Sequence, residues 1–168
     1  MDNLFNSLRC KVHLTWSEQD HKEVEVNEPA DIYRIVRDEL VNSDREILMS
    51  VLLTANHTII GIETVSIGNL HSCTVTAREL FKSAILANAS SIVLCHNHTS
   101  GDLTPSDQDR KITKKLKEAG KLLGIIVLDH LIITNKGFTS MADDSRLKSI
   151  LSKTIKKHKK SVGAACPL

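Results

Sequence analysis

Residues 91–95, "SIVLC", form a short apolar run with no polar alternation, and a histidine follows at once. A strand with one wet face alternates apolar and polar residues, so a run this uniform is expected to be covered on both faces. That places it inside a sheet with material packed above and below, and the search narrows to layered folds of helices on strands.

The flanking segments supply those layers. "EILMSVLLT" (46–54) and "TIIGIETVSIG" (58–68), joined by "ANH", are β-rich and are expected to pair as a hairpin. After Pro29, Ile32, Ile35, Val36 and Leu40 recur at helical spacing. Thr76 followed by Glu79 is a capping pattern that predicts a helix from about 77 to 89. In "PSDQDRKITKKLKEAGKLLG", Ile112, Leu116, Ala119 and Leu123 make one apolar stripe with lysines opposite, and the stripe extended backward reaches Asp109 and Ser106. "IIVLDHLIIT" and "GFTSM" then give further strands around "NKG". The order β-β-α-β-α-β-β predicts an α/β fold, a mixed β-sheet flanked by helices.

Composition sets the outer bounds. With 168 residues, 41% of them hydrophobic and 25% charged, the chain has enough for one ordinary core. The longest nearly unbroken apolar run, "LLGIIVL" (122–128), is far short of the roughly 20 residues that a membrane span needs. "MDNLFNSLRC" has no basic-then-apolar leader, so a cytoplasmic protein without membrane attachment is the expectation. Cys10, Cys73, Cys95 and Cys166 are scattered, which argues for reduced thiols and against a cysteine zinc knuckle.

Charge is unevenly spread. Arg146, Lys148, Lys153, Lys156, Lys157, Lys159 and Lys160 fall in a stretch with no acid after Asp144. The other 15 of the 22 Lys and Arg residues face all 20 acids, a balance of −5 for the remainder. Three regions follow: an N-terminal appendage over 1–28, where "KVHLTW" and "KEVEV" suggest a β-hairpin; a main domain over 29–142; and a basic tail over 143–168. The tail could meet phosphates, and it is also an ordinary solvated end.

The residues after "SIVLC" carry the chemistry. In an extended chain His96 and His98 point the same way, while Cys95 and Asn97 point elsewhere. Such a pair can grip one metal ion, and Asp109, on the inward stripe at the start of the next helix, can add an oxygen. Gly101 lets the chain reverse and Pro105 suits a first helical turn. Two imidazoles and a carboxylate, with a fourth position left to water, are the ligands of a catalytic zinc. A plainer reading stands beside this one, since Ser106-x-x-Asp109 is also a helix-capping box.

The pattern H-x-H-x7-S-x-x-D, with a glutamate on an earlier strand, resembles the JAMM motif of JAB/MPN-type metal-dependent hydrolases. More narrowly, "VTARELFKSAILANASSIVLCHNHTSGDLTPSDQD", followed by "LLGIIVLDHLII", closely resembles the RadC family over roughly residues 30–142. The resemblance implies a JAB/MPN-like, cytidine-deaminase-like sandwich. It implies zinc held by His96, His98 and Asp109, with Ser106 orienting substrate and steadying the oxyanion. Glu46 aligns with the upstream general base, and Glu63 on the following strand is its competitor. The implied reaction is metallopeptidase- or isopeptidase-like hydrolysis of an amide bond in a peptide or isopeptide substrate.

The family's DNA-repair label carries a rival implication, a nucleic-acid-associated protein with a structural or vestigial metal site and DNA held by the basic tail. Two departures bear on this. Thr99 replaces the usual proline after the second histidine, and the helix-hairpin-helix segment of longer members does not occur in these 168 residues. Homo-oligomerisation is left open. His130 reads as structural or as standing behind a ligand; His13, His21, His57, His71 and His158 have no partner at metal-binding spacing. Trp16 and Tyr33 are too few to form a stacking platform for bases.

Overall fold

The computed structural model of the chain describes residues 24–68 and 75–142. Strands β1 (Ile47–Leu53) and β3 (Ser91–Asn97) bury all seven of their residues, and β4 (Ile126–Thr134) all but its first. These three are therefore the inner strands, and β2 (Ile59–Ile67) and β5 (Gly137–Ser140) close the edges in the order β2-β1-β3-β4-β5. Only β3 and β4 run parallel; the other neighbours are antiparallel. A parallel pair needs a crossover, and helix α3 (Asp107–Leu123) provides it.

Alternation along the inner strands divides the core into two layers. One face packs Met49, Val51, Val93, Cys95, Leu131 and Ile133 against Ile32, Val36 and Leu40 of α1 (Pro29–Val41). The other packs Leu48, Leu52, Ile92, Leu94 and Val127 against Leu80, Phe81 and Ala84 of α2 (Ala77–Leu86) and Leu116 of α3. The result is the mixed sheet flanked by helices that the order of elements predicts. Among the described residues no helix is long and apolar enough to cross a membrane.

One detail differs from the sequence reading. Helix α2 stops at Leu86 rather than at 89, because Asn88 takes a left-handed conformation (φ 51°) that turns the chain into β3. Of the N-terminal hairpin only its end is described: Glu25 bridges Thr58, Val26 N–H donates to the His57 carbonyl, and Ile59 N–H donates to that of Val24. This segment thus pairs with the β1–β2 connection. Its expected partner at 11–16, and the basic tail, lie outside the described residues.

Candidate metal centre

His96 lies in β3 with Ile92 and Leu94 on the face that meets α3, and it is fully buried. His98 follows the end of the strand but keeps its pairing, since its N–H donates to the Ile133 carbonyl at 3.1 Å. The two rings stand edge to face with centroids 4.7 Å apart. The chain then reverses through Gly101, at φ 74°, and enters α3 at Ser106. Asp109 arrives opposite the histidines, its Oδ1 3.4 Å from His96 Nε2 and its Oδ2 3.4 Å from His98 Nε2.

The capping box and the ligand cluster are one device. Ser106 Oγ accepts from Asp109 N–H at 3.1 Å and donates to Asp109 Oδ2 at 2.6 Å, and Ser106 N–H donates to the same oxygen at 2.7 Å. The helix cap thereby fixes the rotamer of the carboxylate that faces the imidazoles.

Three observations fit this group to a metal ion. His96 Nε2 is buried and finds no hydrogen-bond partner among the described residues. His98 Nδ1 lies 2.7 Å from the Asp102 carbonyl, which can only accept, so the hydrogen of a neutral His98 sits on Nδ1 and Nε2 is bare toward Asp109. Ligands at zinc bond lengths of ~2.0–2.1 Å around a tetrahedron are roughly 3.3 Å apart. The two 3.4 Å separations match that edge, and the donor atoms of all three side chains lie within 4.8 Å of one another.

The electrostatics agree. Burial opposes ionisation of Asp109, yet hydrogen bonds from His98 and Ser106 and the nearby His96 outweigh it and hold the carboxyl well below the usual carboxylate range. Burial pushes His96 down to about 4 despite Asp109, which keeps the ring neutral and able to ligate. His98 is shifted up, first by its hydrogen bond to Asp109, so a proton there can offset the carboxylate when no cation does.

Glu46 immediately precedes β1. Leu48 pairs with His96, and continuing that antiparallel register by two residues sets Glu46 opposite His98. Both line an open cleft of about 380 Å³ together with Ser106 and Asp109, and the charge of Glu46 helps to raise the His98 pKa. Glu63 goes elsewhere: it pairs with Ser50 in β2 and accepts a short hydrogen bond from Ser83 of α2. Thr99, in place of proline, lies exposed in the turn beside a second cleft that also reaches His98.

The sequence reading missed Asn97. Its side chain points away from the two imidazoles, where Oδ1 accepts from Ile47 N–H at 2.7 Å and Nδ2 donates to the Arg45 carbonyl at 2.8 Å. The carboxamide clamps the chain on both sides of Glu46. A buried asparagine between two histidines is its only sequence signal. The Asp129-His130 pair also divides its work: Asp129 accepts from Ser140 Oγ and from Ala142 N–H, fixing the end of β5, while the His130 ring lies 2.7 Å behind His96.

Fold and ligand geometry together define a JAB-type α/β domain, and the comparison with known families makes this specific. The sequence model of the RadC-like JAB domain matches residues 26–147, and the chain belongs to that family. Relatives include a UPF0758 protein of Desulforamulus reducens, 48% identical over 113 residues, which are 67% of this chain and 50% of the relative. A UPF0758 protein of Clostridium perfringens is 38% identical over 134 residues, 80% of this chain and 59% of its own length. One of Moorella thermoacetica is 43% identical over 122 residues, 73% and 53% respectively. The chain thus spans between half and three fifths of the length of these relatives.

Proposed function

We propose that the chain is a zinc-dependent hydrolase that cleaves an amide bond of peptide or isopeptide type. The observation that supports this best is the convergence of two imidazoles and one cap-fixed carboxylate at a cleft that Glu46 also lines. His96, His98 and Asp109 would hold the ion. Zinc bound there supplies Lewis acidity, lowering the pKa of water towards about 7 and polarising a carbonyl oxygen.

The remaining work falls to the chain. The Glu46 carboxylate takes a proton from the attacking water and hands it to the leaving amine nitrogen, acting first as base and then as acid. The clamp of Asn97 on the main chain of Arg45 and Ile47 would hold Glu46 at that edge of the cleft. Ser106 Oγ–H, held on Asp109 Oδ2, is the hydroxyl donor beside the cleft; turning it toward the substrate carbonyl would stabilise the developing oxyanion.

The test is metal analysis of the purified chain with assays on peptide and isopeptide substrates. Glu46→Gln should keep one metal per chain and lose ~10²–10⁴-fold in turnover. Hydrolysis that survives full chelation, or a Glu63→Gln variant that loses turnover while Glu46→Gln keeps it, would overturn the reading or its choice of base.

The uneven charge of the sequence favours a second reading, in which the cations after Asp144 hold nucleic acid by its phosphates. Binding would then be indifferent to sequence and fall with salt at a log–log slope of roughly −0.9 per phosphate contacted. Truncation after Ser145 should abolish DNA retention at low salt and spare metal content; equal binding by the truncated chain rejects this role for the tail.

A further inference from the structure

We propose that Thr113 and His130 are positioning residues that set the tautomer of His96, so that its Nε2 is presented without a hydrogen toward Asp109. The Thr113 hydroxyl has a single hydrogen to donate. Three groups surround Oγ1: the main-chain carbonyl of Asp109 at 2.5 Å, His130 Nδ1 at 2.6 Å, which donates or accepts according to its tautomer, and Met141 Sδ at 4.0 Å. The carbonyl oxygen can only accept, and an oxygen lone pair turned toward it at that distance would be repulsive. The hydroxyl therefore donates back to the carbonyl four residues earlier, a familiar helix bond for threonine.

The rest of the chain of bonds follows from this. Thr113 Oγ1 is left as an acceptor, so His130 Nδ1 must carry a hydrogen. The His130 ring is buried and, among the described residues, its hydrogen-bonding contacts are Thr113 and His96, neither of them a carboxylate that would favour a second proton on the ring. Its Nε2 is then bare and accepts from His96 Nδ1 at 2.7 Å. A neutral His96 that donates from Nδ1 has a bare Nε2, the buried atom that finds no hydrogen-bond partner among the described residues and lies 3.4 Å from Asp109 Oδ1. The polarity set at the backbone of Asp109 returns, through α3, β4 and β3, to the side chain of the same residue.

The alternative arrangement fails at one point. If His130 carried its hydrogen on Nε2, its Nδ1 would need the Thr113 hydrogen and the Asp109 carbonyl would lose it. His96 would then bear a hydrogen on Nε2, where it would block a lone pair needed for ligation. The consequence for metal rests on the reading of His96, His98 and Asp109 as ligands; the tautomer does not.

The test uses the full chain, labelled with ¹⁵N-histidine and stripped of metal, in long-range proton–nitrogen spectra, together with zinc affinity measured by chelator competition. His96 and His130 should both appear as Nδ1–H tautomers. Thr113→Val, close in shape but without the hydroxyl, should shift His96 toward Nε2–H and weaken zinc by ~10–100-fold, and Thr113→Ser should restore both. A wild-type His96 in the Nε2–H form overturns the proposal, as does a folded Thr113→Val chain with unchanged tautomer and zinc affinity. Should Thr113→Val not fold, the wild-type spectrum still decides. A wild-type chain with the expected tautomers that takes up no zinc supports the relay and removes the ligand reading instead.

Discussion

The central residue is Asp109, whose carboxylate completes a helix cap, faces two imidazoles and stays ionised despite burial. Strand alternation made His96 and His98 legible in the sequence, and the helical stripe brought Asp109 to the same side. Asn97 was not legible, because a carboxamide bridging to main chain 50 and 52 residues away leaves no local pattern. Its contribution can be measured. Asn97→Ala leaves the Ile47 N–H without its acceptor and the Arg45 carbonyl without its donor, at about 1–3 kcal/mol for an orphaned buried group. Urea denaturation should show that loss. Because the clamp brackets Glu46 and not the ligands, turnover should fall while zinc content holds. A variant as stable and as active as the wild type would show that Arg45 and Ile47 hold Glu46 without help.

At the scale of elements, the placement of α3 decides whether the site exists, since this helix carries Asp109 and Thr113 and covers His96. Its apolar stripe was evident from spacing. Its closest approach was not, since nothing in "KEAGKLLG" marks Gly120 as different from any helical glycine. A Cβ at Gly120 would collide with the Ile125 carbonyl oxygen, to which Gly120 lies adjacent in the turn into β4, and would come within 3.0 Å of Phe81 Cζ. Neither neighbour yields easily: Phe81 is fully buried, and the Ile125 carbonyl belongs to main chain. The usual gain in helix propensity from Gly to Ala, about 1 kcal/mol, is therefore outweighed by overpacking of about 1–3 kcal/mol. Gly120→Ala should unfold at lower urea than the wild type with an unchanged m-value. A higher midpoint would show that α3 can shift outward without cost. The end of α2 teaches a related lesson: "ANA" suits a helix, yet the left-handed Asn88 ends it, because Ser90 N–H must reach the Leu53 carbonyl to start β3 beside β1. Tertiary pairing overrides local preference there.

For the molecule as a whole, two apolar layers on one sheet were foreshadowed by the uniform "SIVLC" run, and the crossover from β3 to β4 places the site at the carboxyl end of a parallel strand. Open α/β sheets tend to bind ligands at that position. Residues 1–23, 69–74 and 143–168 lie outside the described residues. The site joins β3 to α3 across the wall between sheet and helix layer, so an ion held by His96, His98 and Asp109 binds the native arrangement and not the unfolded chain. Linkage then requires stabilisation by about 2.7 kcal/mol at a free zinc concentration one hundred times Kd. For a chain of this size that is a rise in Tm of roughly 5–11 °C. Chelation should reverse it. His98→Ala, which removes a partly buried imidazole at the mouth of the cleft, should abolish the zinc-dependent rise, whatever the loss of its contacts to Asp109 and Asp102 costs the metal-free chain. If the variant keeps stoichiometric zinc and the full rise, the ion sits elsewhere and the three-ligand site is wrong.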